Sequence, residues 1–374
     1  TFFGPLGTNS CNLIDYLMAV PGTVSLMAGH NPATWMLEVT GGSMAMLAQA
    51  VDVDWAGLYD SSESCAAAAA HADELVLTAH TEALTVAGGQ YAKPFNTQMW
   101  QLFIKYNLVW WRTPSYNLMR LFTVFCTSWL YCLMYWRKGQ VPNPASITDV
   151  QSVMGLMYSS ANFLGMTNLM SVMPLVGYER MVFYREQGAS MYNPFAYGFA
   201  MSLVEIPYLV MQVLVYMPIV YWTVDFAHSP EQFFLYFLMF LACLAFYNTF
   251  GQCLVYITPN QGIAQVVGGG LNFLFNLFGG FIITAPDIAR GWKWLNRAVP
   301  TTWILYGLGA NQLNDVNVPV FYNGRETNLR EFMQDRFGYS YDMRWWCLLI
   351  VFAYVIFVRV ASILALRYWS FLRR

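Results

Sequence analysis

The chain of 374 residues is strongly apolar, since 57% of its residues are hydrophobic, 17% are aromatic and only 11% are charged. A typical soluble domain carries about 25% charged residues, so this composition indicates a protein with several membrane-spanning segments. The net charge of -2, without clusters of Lys and Arg, excludes a nucleic-acid-binding surface. The seven cysteines form no CxxC or CxxH pattern and the four histidines do not cluster, so the sequence predicts neither a metal site nor a disulfide framework.

Residues 1–60 differ in character from the rest. Apolar residues at helical spacing predict a helix over residues 10–20, and Asn31-Pro32 precedes a second short helix predicted from Ala33 to Val39. This stretch is too short to enclose a core of its own. We therefore expect it to be the tail of a globular domain, and the lack of an initiator Met before Thr1 favours a fragment of a longer protein.

Residues 61–94 are predicted to be a linker because they are rich in serine and alanine. The pattern changes at Phe95, where apolar and aromatic residues begin to recur at helical spacing with polar residues between them. This pattern continues to Arg112 and predicts an amphipathic helix that lies in the membrane interface. The transmembrane domain is predicted to run from residue 95, where this helix begins, to residue 374.

Six stretches are long and apolar enough to be predicted as membrane spans. They are residues 117–136, 150–174, 195–223, 232–256, 263–284 and 346–368. The fold class predicted is therefore an all-α membrane protein, and the distribution of Lys and Arg in the short connections places both termini on the cytoplasmic side. Residues 285–345 are predicted to form a long external insertion, in which Trp292-Lys-Trp294-Leu295 and the run from Trp303 to Leu308 dip back into the outer interface.

A charged segment lies between the second and third predicted spans. It contains Glu179, Arg180, Arg185 and Glu186, and it is followed by Met191-Tyr-Asn-Pro194. We expect a turn-rich elbow at the cytoplasmic surface, where charge can receive force from a partner domain. The competing interpretation is a solvated loop whose arginines face lipid phosphate.

Charges within the predicted spans include Glu205 in the third and Arg359 in the sixth. At 1.5 Å per residue, both lie at similar depths of roughly 15 Å and 12 Å from the cytoplasmic face. An unpaired charge at that depth costs on the order of 3 kcal/mol, so the sequence suggests that the two form an ion pair. The alternative is that Arg359 extends to the inner headgroups, while Glu205 is protonated or bonded within its own helix.

Several motifs together resemble one family. Asn31-Pro-Ala-Thr-Trp-Met-Leu-Glu-Val-Thr40 is similar to the sequence that closes the second nucleotide-binding domain of plant-type pleiotropic drug resistance transporters, the full-size members of the ABC transporter G subfamily. Further motifs resemble the second transmembrane domain of that family, an ABC-2 type domain, in order and spacing: Val182-Phe-Tyr-Arg-Glu186, Met191-Tyr192, Glu205-Ile-Pro-Tyr208, Thr258-Pro-Asn260, Arg336-Phe-Gly-Tyr339 and Tyr341-Asp342. Arg359 and Asn276 depart from the pattern of the family.

The resemblance implies the permease half of an ATP-driven exporter of lipophilic or amphipathic compounds, usually at the plasma membrane. Residues 1–60 would then be the tail of a nucleotide-binding domain, and the expected partners are the small-molecule substrate, membrane lipid and the N-terminal half of the same transporter. ATP and Mg²⁺ are expected in nucleotide-binding domains outside this chain, because no G-x-x-x-x-G-K-[ST] sequence occurs in it. No cofactor and no enzymatic activity are therefore expected of this chain alone.

The resemblance also implies roles for individual residues. Residues 95–112 would be the connecting helix, and Glu179, Arg180, Arg185 and Glu186 the coupling elbow. The second and fifth spans would line a substrate cavity with Phe163, Thr167, Asn168, Asn272, Phe273 and Asn276, beneath a gate of Phe281 and Ile282. Asparagines that join neighbouring helices, and aromatic residues that pack in the core, are the alternatives.

Two other classes of protein stay open as alternatives. A membrane-embedded transferase needs a nucleophile or base near the headgroups, but His30, His71, His80 and His228 lie outside the predicted spans without Asp partners at motif spacing. A channel needs a ring of charges or a filter loop.

Overall fold

The computed structural model describes residues 2–40, 54–78, 90–313, 318–322, 325–369 and 371. The chain forms two compact units, Thr1–Gly88 and Gly89–Arg374. The predicted linker falls mostly in the first unit, and its residues 79–89 lie outside the described part of the chain. The assignment of residues 1–60 to a nucleotide-binding domain stays a prediction.

The described residues of the first unit form four α-helices. They are α1 (Cys11–Met18), α2 (Pro32–Thr40), α3 (Trp55–Asp60) and α4 (Glu63–Thr78). Both helices predicted before residue 40 are therefore present. Leu13, Leu17 and Trp35 are buried together, and the Trp35 indole donates to the Val24 carbonyl at 2.9 Å.

The second unit is mostly helical, and a helix lies at each segment predicted to be interfacial or membrane-spanning. The helix at the predicted interfacial segment is α5 (Phe95–Trp111), and the helices at the six predicted spans are α6 (Pro114–Met134), α7 (Ile147–Gly188), α8 (Pro194–Val224), α9 (Pro230–Ile257), α10 (Gln261–Leu277) and α14 (Arg344–Tyr368). Among the described residues, three segments are long and apolar enough to cross a membrane, namely Pro194–Val224, Pro230–Ile257 and Tyr341–Tyr368. The third, fourth and sixth predicted spans are thus supported, and the other three stay predictions.

The starts of these helices follow from local sequence. Pro114, Pro194 and Pro230 each occupy the first turn of a helix, where a missing N–H costs nothing because that group would have no intrahelical partner. Asn260 caps α10, since its side-chain oxygen accepts from the Ile263 N–H at 2.9 Å.

The charged segment after the second predicted span is helical, which corrects the expectation of a turn-rich elbow at Glu179. Helix α7 continues through Pro174 and the charged residues to Gly188. A proline is tolerated within a membrane helix when neighbouring groups satisfy the freed carbonyl. The turn itself is confined to residues 189–193, immediately before α8.

Helix α9 is central in the second unit, because it packs against α7, α8, α10 and α14. Its approach to α7 depends on glycine. A Cβ atom at Gly251 would lie 2.7 Å from the Leu169 carbonyl oxygen, and one at Gly165 would meet the ring of Tyr247. Small residues of this kind let two apolar helices come into backbone contact.

The insertion between α10 and α14 contains short helices and a hairpin. Its elements are α11 (Lys293–Ala298), α12 (Pro300–Leu313), the antiparallel strands β1 (Pro319–Tyr322) and β2 (Arg325–Asn328), and α13 (Leu329–Phe337). The hairpin corrects the all-α prediction. Helix α12 is almost wholly buried against α9 and α14, and its 14 residues span only about 21 Å. Its re-entrant placement stays a prediction.

Candidate functional site

The strongest feature of the second unit is a buried polar cluster around Glu205 of α8. The Glu205 carboxylate accepts from the Trp110 indole at 2.9 Å and from the Tyr116 hydroxyl at 2.8 Å, and it forms an ion pair with Arg120 at 3.3 Å. Arg120 also donates to the Tyr116 hydroxyl and, at 3.4 Å, to the Asn248 side chain. Glu205 and Arg120 are each 2% exposed, so the ion pair is nearly dry. Four helices, α5, α6, α8 and α9, contribute side chains to this hydrogen-bonded cluster.

The expected pair of Glu205 with Arg359 is wrong. Within the described residues, the ion-pair partner of Glu205 is Arg120, whereas Arg359 donates to the Gln252 side chain at 2.8 Å. Gln252 lies one turn after Asn248 on α9, so one face of this helix supplies an amide oxygen to each arginine. Helices α8 and α14 do pack against each other, but similar depth on neighbouring helices does not make two charges partners, and it is α6 that supplies the cation in contact with Glu205.

Arg120 is the charged residue of this cluster that sequence reasoning missed. The available signal was its position near the start of the predicted span 117–136, four residues after Tyr116. An arginine inside a span requires a partner as much as a glutamate does.

A cleft of about 370 Å³ lies beside this cluster, between α6 and α7. Tyr116 and Arg120 form part of its α6 wall, and Thr167 and Ser171 form part of its α7 wall. Of the residues predicted for the substrate cavity, Thr167 is the one that lines this cleft.

The two asparagines predicted on the fifth span lie at the interface of α10 with α7. The Asn276 side chain accepts from the Tyr158 hydroxyl at 2.9 Å and donates to the Asn162 side chain at 3.0 Å. The Asn272 side chain donates to Met166 Sδ at 2.9 Å. These contacts match the helix-joining alternative, and a cavity role for either residue stays a prediction.

The other predicted cavity residues do not share one face. Asn168 is buried and donates to the Gln212 side chain of α8 at 2.9 Å, whereas Phe163 is 50% exposed and Phe273 is 70% exposed. The grouping of Phe163, Thr167 and Asn168 on one helical face is therefore corrected, because Asn168 points into the α7–α8 interface.

The predicted gate residues follow the end of α10. Phe281 stacks on Tyr158 with ring centroids 4.6 Å apart, and Ile282 is 60% exposed. Phe281 thereby shares a partner with Asn276, since Tyr158 contacts both. A gating role for Phe281 and Ile282 stays a prediction.

Comparison with known proteins gives the family. The family model described as ABC-2 type transporter matches residues 97–313, which is more than half of the chain. The chain is 35% identical to the ABC transporter G family member 36 of Oryza sativa subsp. indica over 94% of its own length and 24% of that protein. It is 34% identical to the ABC transporter G family member 31 of Arabidopsis thaliana, over 99% of its own length and 26% of that protein. It is also 34% identical to the Pleiotropic drug resistance protein 1 of Nicotiana tabacum, over 100% of its own length and 26% of that protein. This chain belongs to the ABC-2 type transporter family. It is a membrane protein, and it spans about a quarter of the length of these curated relatives.

The charged end of α7 in this ABC-2 chain is held by internal contacts. Lys105 of α5 donates to both carboxylate oxygens of Glu186, at 2.6 and 2.8 Å, and the Tyr192 hydroxyl donates to the same carboxylate at 2.7 Å. Arg180 is buried and donates to main-chain carbonyls beyond the end of α9, at Thr258 and Pro259. The segment is therefore a braced helical end rather than a free loop.

Two residues of the predicted coupling elbow differ in their surroundings. The Arg185 side chain is exposed. Burial raises the pKa of the Glu179 carboxyl, the Lys105 ammonium partly offsets that rise, and the Glu186 carboxylate adds to it. Glu179 therefore holds its proton to a higher pH than an ordinary glutamate, and Arg185 is the member of the four whose side chain is exposed.

Replacing Asn276 with leucine provides a test of its two interpretations in the ABC-2 domain. If its side chain contacts substrate, Asn276→Leu is expected to change the ranking of exported compounds, because a polar anchor is lost. If it only joins α7 to α10, the yield of folded protein should fall and the ranking should not change. Transport of a panel of compounds, normalised to folded protein, measures the difference, and Asn162→Leu is the matched control on the other side of the same hydrogen bond.

Proposed function

We propose that this chain is the transmembrane permease part of an ATP-driven exporter of lipophilic or amphipathic compounds. The observation that carries the proposal is the ABC-2 match over residues 97–313, which covers α5 to α12, in a chain whose relatives are named ABC transporters of the G family. The exposed apolar faces of the helices suit a bilayer, and the cleft between α6 and α7 suits a small apolar ligand.

ATP and Mg²⁺ would bind in nucleotide-binding domains outside this chain. The chain contains no phosphate-binding loop sequence, so it would contribute no phosphate-binding lysine to hydrolysis. Its partners would be those domains and the N-terminal half of the same transporter, and its location would be the plasma membrane. Six membrane spans and an external insertion between the fifth and sixth complete this proposal.

The end of α7 would receive the movement of a nucleotide-binding domain. Lys105 and Glu186 join α7 to α5 in an ion pair that is partly shielded from solvent, so a push on one helix is transmitted to the other. Arg185 would make the contact with the nucleotide-binding domain, since its charge is exposed.

Reversing the charge of Arg185 is therefore expected to uncouple the transporter. In the complete protein, Arg185→Glu should leave thermal stability within about 0.5 kcal/mol of the wild type, as exposed substitutions usually do. Stimulation of ATP hydrolysis by substrate should fall several-fold. Lys138→Glu is the matched control, since Lys138 is exposed and predicted on the opposite side of the membrane. Normal stimulation in Arg185→Glu would assign coupling to other residues.

The proposed activity is tested by reconstituting the complete protein in liposomes. Uptake of Nile red, an uncharged lipophilic dye, into inside-out vesicles is measured with Mg²⁺ and ATP, with a non-hydrolysable ATP analogue, and with no nucleotide. Export predicts accumulation only with hydrolysable ATP.

The alternatives give different results in the same assay. A channel would equilibrate the dye without ATP and never concentrate it. A membrane-embedded transferase would modify a lipid or the dye covalently, which mass spectrometry detects. In the described residues, no group of three or more His, Cys, Asp or Glu side chains is placed to hold a metal ion, and no specific contact favours either alternative.

A further inference from the structure

We propose that the cleft between α6 and α7 binds an uncharged lipophilic molecule through one hydroxyl or carbonyl group, with Arg120 and Ser171 as the recognising residues. This inference rests on the proposed export function, because it names the class of substrate. The cleft measures about 370 Å³, which is at the lower end of the range for small-molecule sites.

Arg120 supplies the donor. Its Nη1 and Nη2 are engaged by Glu205, Tyr116 and Asn248, but its Nε is buried without a hydrogen-bond partner in the described part of the chain. Arg120 lines the cleft and is only 2% exposed. A buried donor left without a partner is costly, so a ligand oxygen that reaches it is stabilised there.

The facing wall supplies acceptors. The hydroxyls of Thr167 and Ser171 each donate to a carbonyl three or four residues earlier in α7. Their hydrogens are thereby used, while their oxygens keep lone pairs that can accept. A ligand hydroxyl fits both walls, since it accepts from Arg120 and donates to Ser171. A carbonyl fits the Arg120 side alone.

The charge balance of the cleft disfavours ionised ligands. The Arg120 charge is already neutralised by Glu205 within a nearly dry cluster. A carboxylate or an amine in the cleft would add a buried charge that has no counterion there, and the desolvation penalty of an ion is several kcal/mol. The rest of the lining includes Met119, Pro174, Leu175 and the ring of Tyr178, which accommodate an apolar body.

The test uses one carbon skeleton with three head groups. Binding of tritiated farnesol to the complete protein in lipid nanodiscs is measured without ATP, in competition with unlabelled farnesol, farnesene and farnesoate. The proposal expects saturable binding of the alcohol, displacement by the alcohol at least several-fold better than by the hydrocarbon, and weak displacement by the carboxylate. Adding cholesterol to the nanodiscs distinguishes an apolar alcohol of the membrane from an exported compound, since a site for membrane sterol would be occupied first.

Variants at Ser171 avoid the folding defect expected of Arg120 variants. Ser171→Ala should weaken farnesol binding about three- to tenfold by removing one hydrogen bond, and Ser171→Leu should abolish it by filling the cleft. Ser202→Ala is the matched control, because Ser202 makes the same kind of hydrogen bond to its own helix on α8 and does not line the cleft.

Several outcomes overturn the inference: no saturable binding, equal affinity for alcohol and hydrocarbon, tightest binding of the carboxylate, or unchanged binding in Ser171→Leu. Failure of the site and failure of the exporter are separable. Binding of farnesol without ATP-driven transport would contradict the proposed function and leave the site in place. ATP-driven transport together with farnesol binding that is unchanged in the Ser171 variants would contradict the site and leave the proposed function in place.

Discussion

Replacing Arg120 with methionine is expected to destabilise the membrane unit by about 3–5 kcal/mol, which is the usual cost of removing one partner of a buried ion pair. The physical reason is that Glu205 would be left without its cation in a cluster whose ion-pair side chains are 2% exposed. The hydrogen bonds from Trp110 and Tyr116 would remain, but they carry no neutralising charge.

A double-mutant cycle separates this pairing from general damage. The apparent free energy of unfolding is measured by denaturant titration in detergent for Arg120→Met, Glu205→Gln and the double variant. The double variant is expected to be less destabilised than the sum of the single variants, by on the order of 1–3 kcal/mol. The matched cycle pairs Glu205→Gln with Arg359→Met, and there the effects should add more closely, because Arg359 is bonded to Gln252.

Strict additivity in the Arg120 cycle, within about 0.5 kcal/mol, would mean that the ion pair does not stabilise the fold. A larger coupling for Arg359 than for Arg120 would restore the pairing that the sequence first suggested.

The partner of Glu205 shows what a sequence can and cannot give. That a carboxylate inside an apolar helix needs a counterion followed from solvation physics alone, and the structure supplies one. Which cation it is depends on which faces of the neighbouring helices meet, since α14 as well as α6 packs against α8, and depth along each helix carries no information on that. Here α8 packs against α5 and α6, so Trp110, Tyr116 and Arg120 surround the carboxylate.

Helix boundaries were predictable where a cap or a proline marks them. They were less predictable at the end of α7, where a run of charged residues was interpreted as a turn-rich elbow. Arg180 and Glu186 lie on a continuing helix because each has a partner, the carbonyls beyond α9 and the Lys105 ammonium respectively. Partners of this kind are distant in sequence. The hairpin of β1 and β2 was also missed, since two four-residue strands are too short to show a period.

The candidate cavity was predicted from residue type, and residue type alone left two roles for each asparagine. Hydrogen bonds that join α7 to α10 and α8 now account for Asn168, Asn272 and Asn276. The cleft beside Arg120 was not predicted at all, because it depends on how α6 and α7 diverge.

Arg180 is expected to be the second residue whose loss destabilises the fold severely. Helix α9 ends at Ile257, and its last carbonyls have no partners within the helix. The carbonyl of Val255 would ordinarily accept from the N–H of residue 259, but that residue is Pro259, which has none. Arg180 replaces the missing donor, since it donates to the carbonyl of Val255 and also to those of Thr258 and Pro259.

We therefore expect Arg180→Met to lower the free energy of unfolding by about 2–5 kcal/mol, since it leaves several buried carbonyls unsatisfied and removes a cation from the negative end of a helix dipole. Arg180→Lys should recover part of this loss, because an ammonium keeps the charge but lacks the planar fork that reaches carbonyls on both sides. Arg185→Met, which removes an exposed charge from the same helix end, is the matched control and should change stability by no more than about 0.5 kcal/mol. Denaturant titration measures all three variants, and hydrogen exchange of the amides near the end of α9 locates the defect. Equal stabilities for Arg180→Met and Arg185→Met would show that the end of α9 is held without Arg180, and its charge would then be free for the coupling role that the sequence suggested.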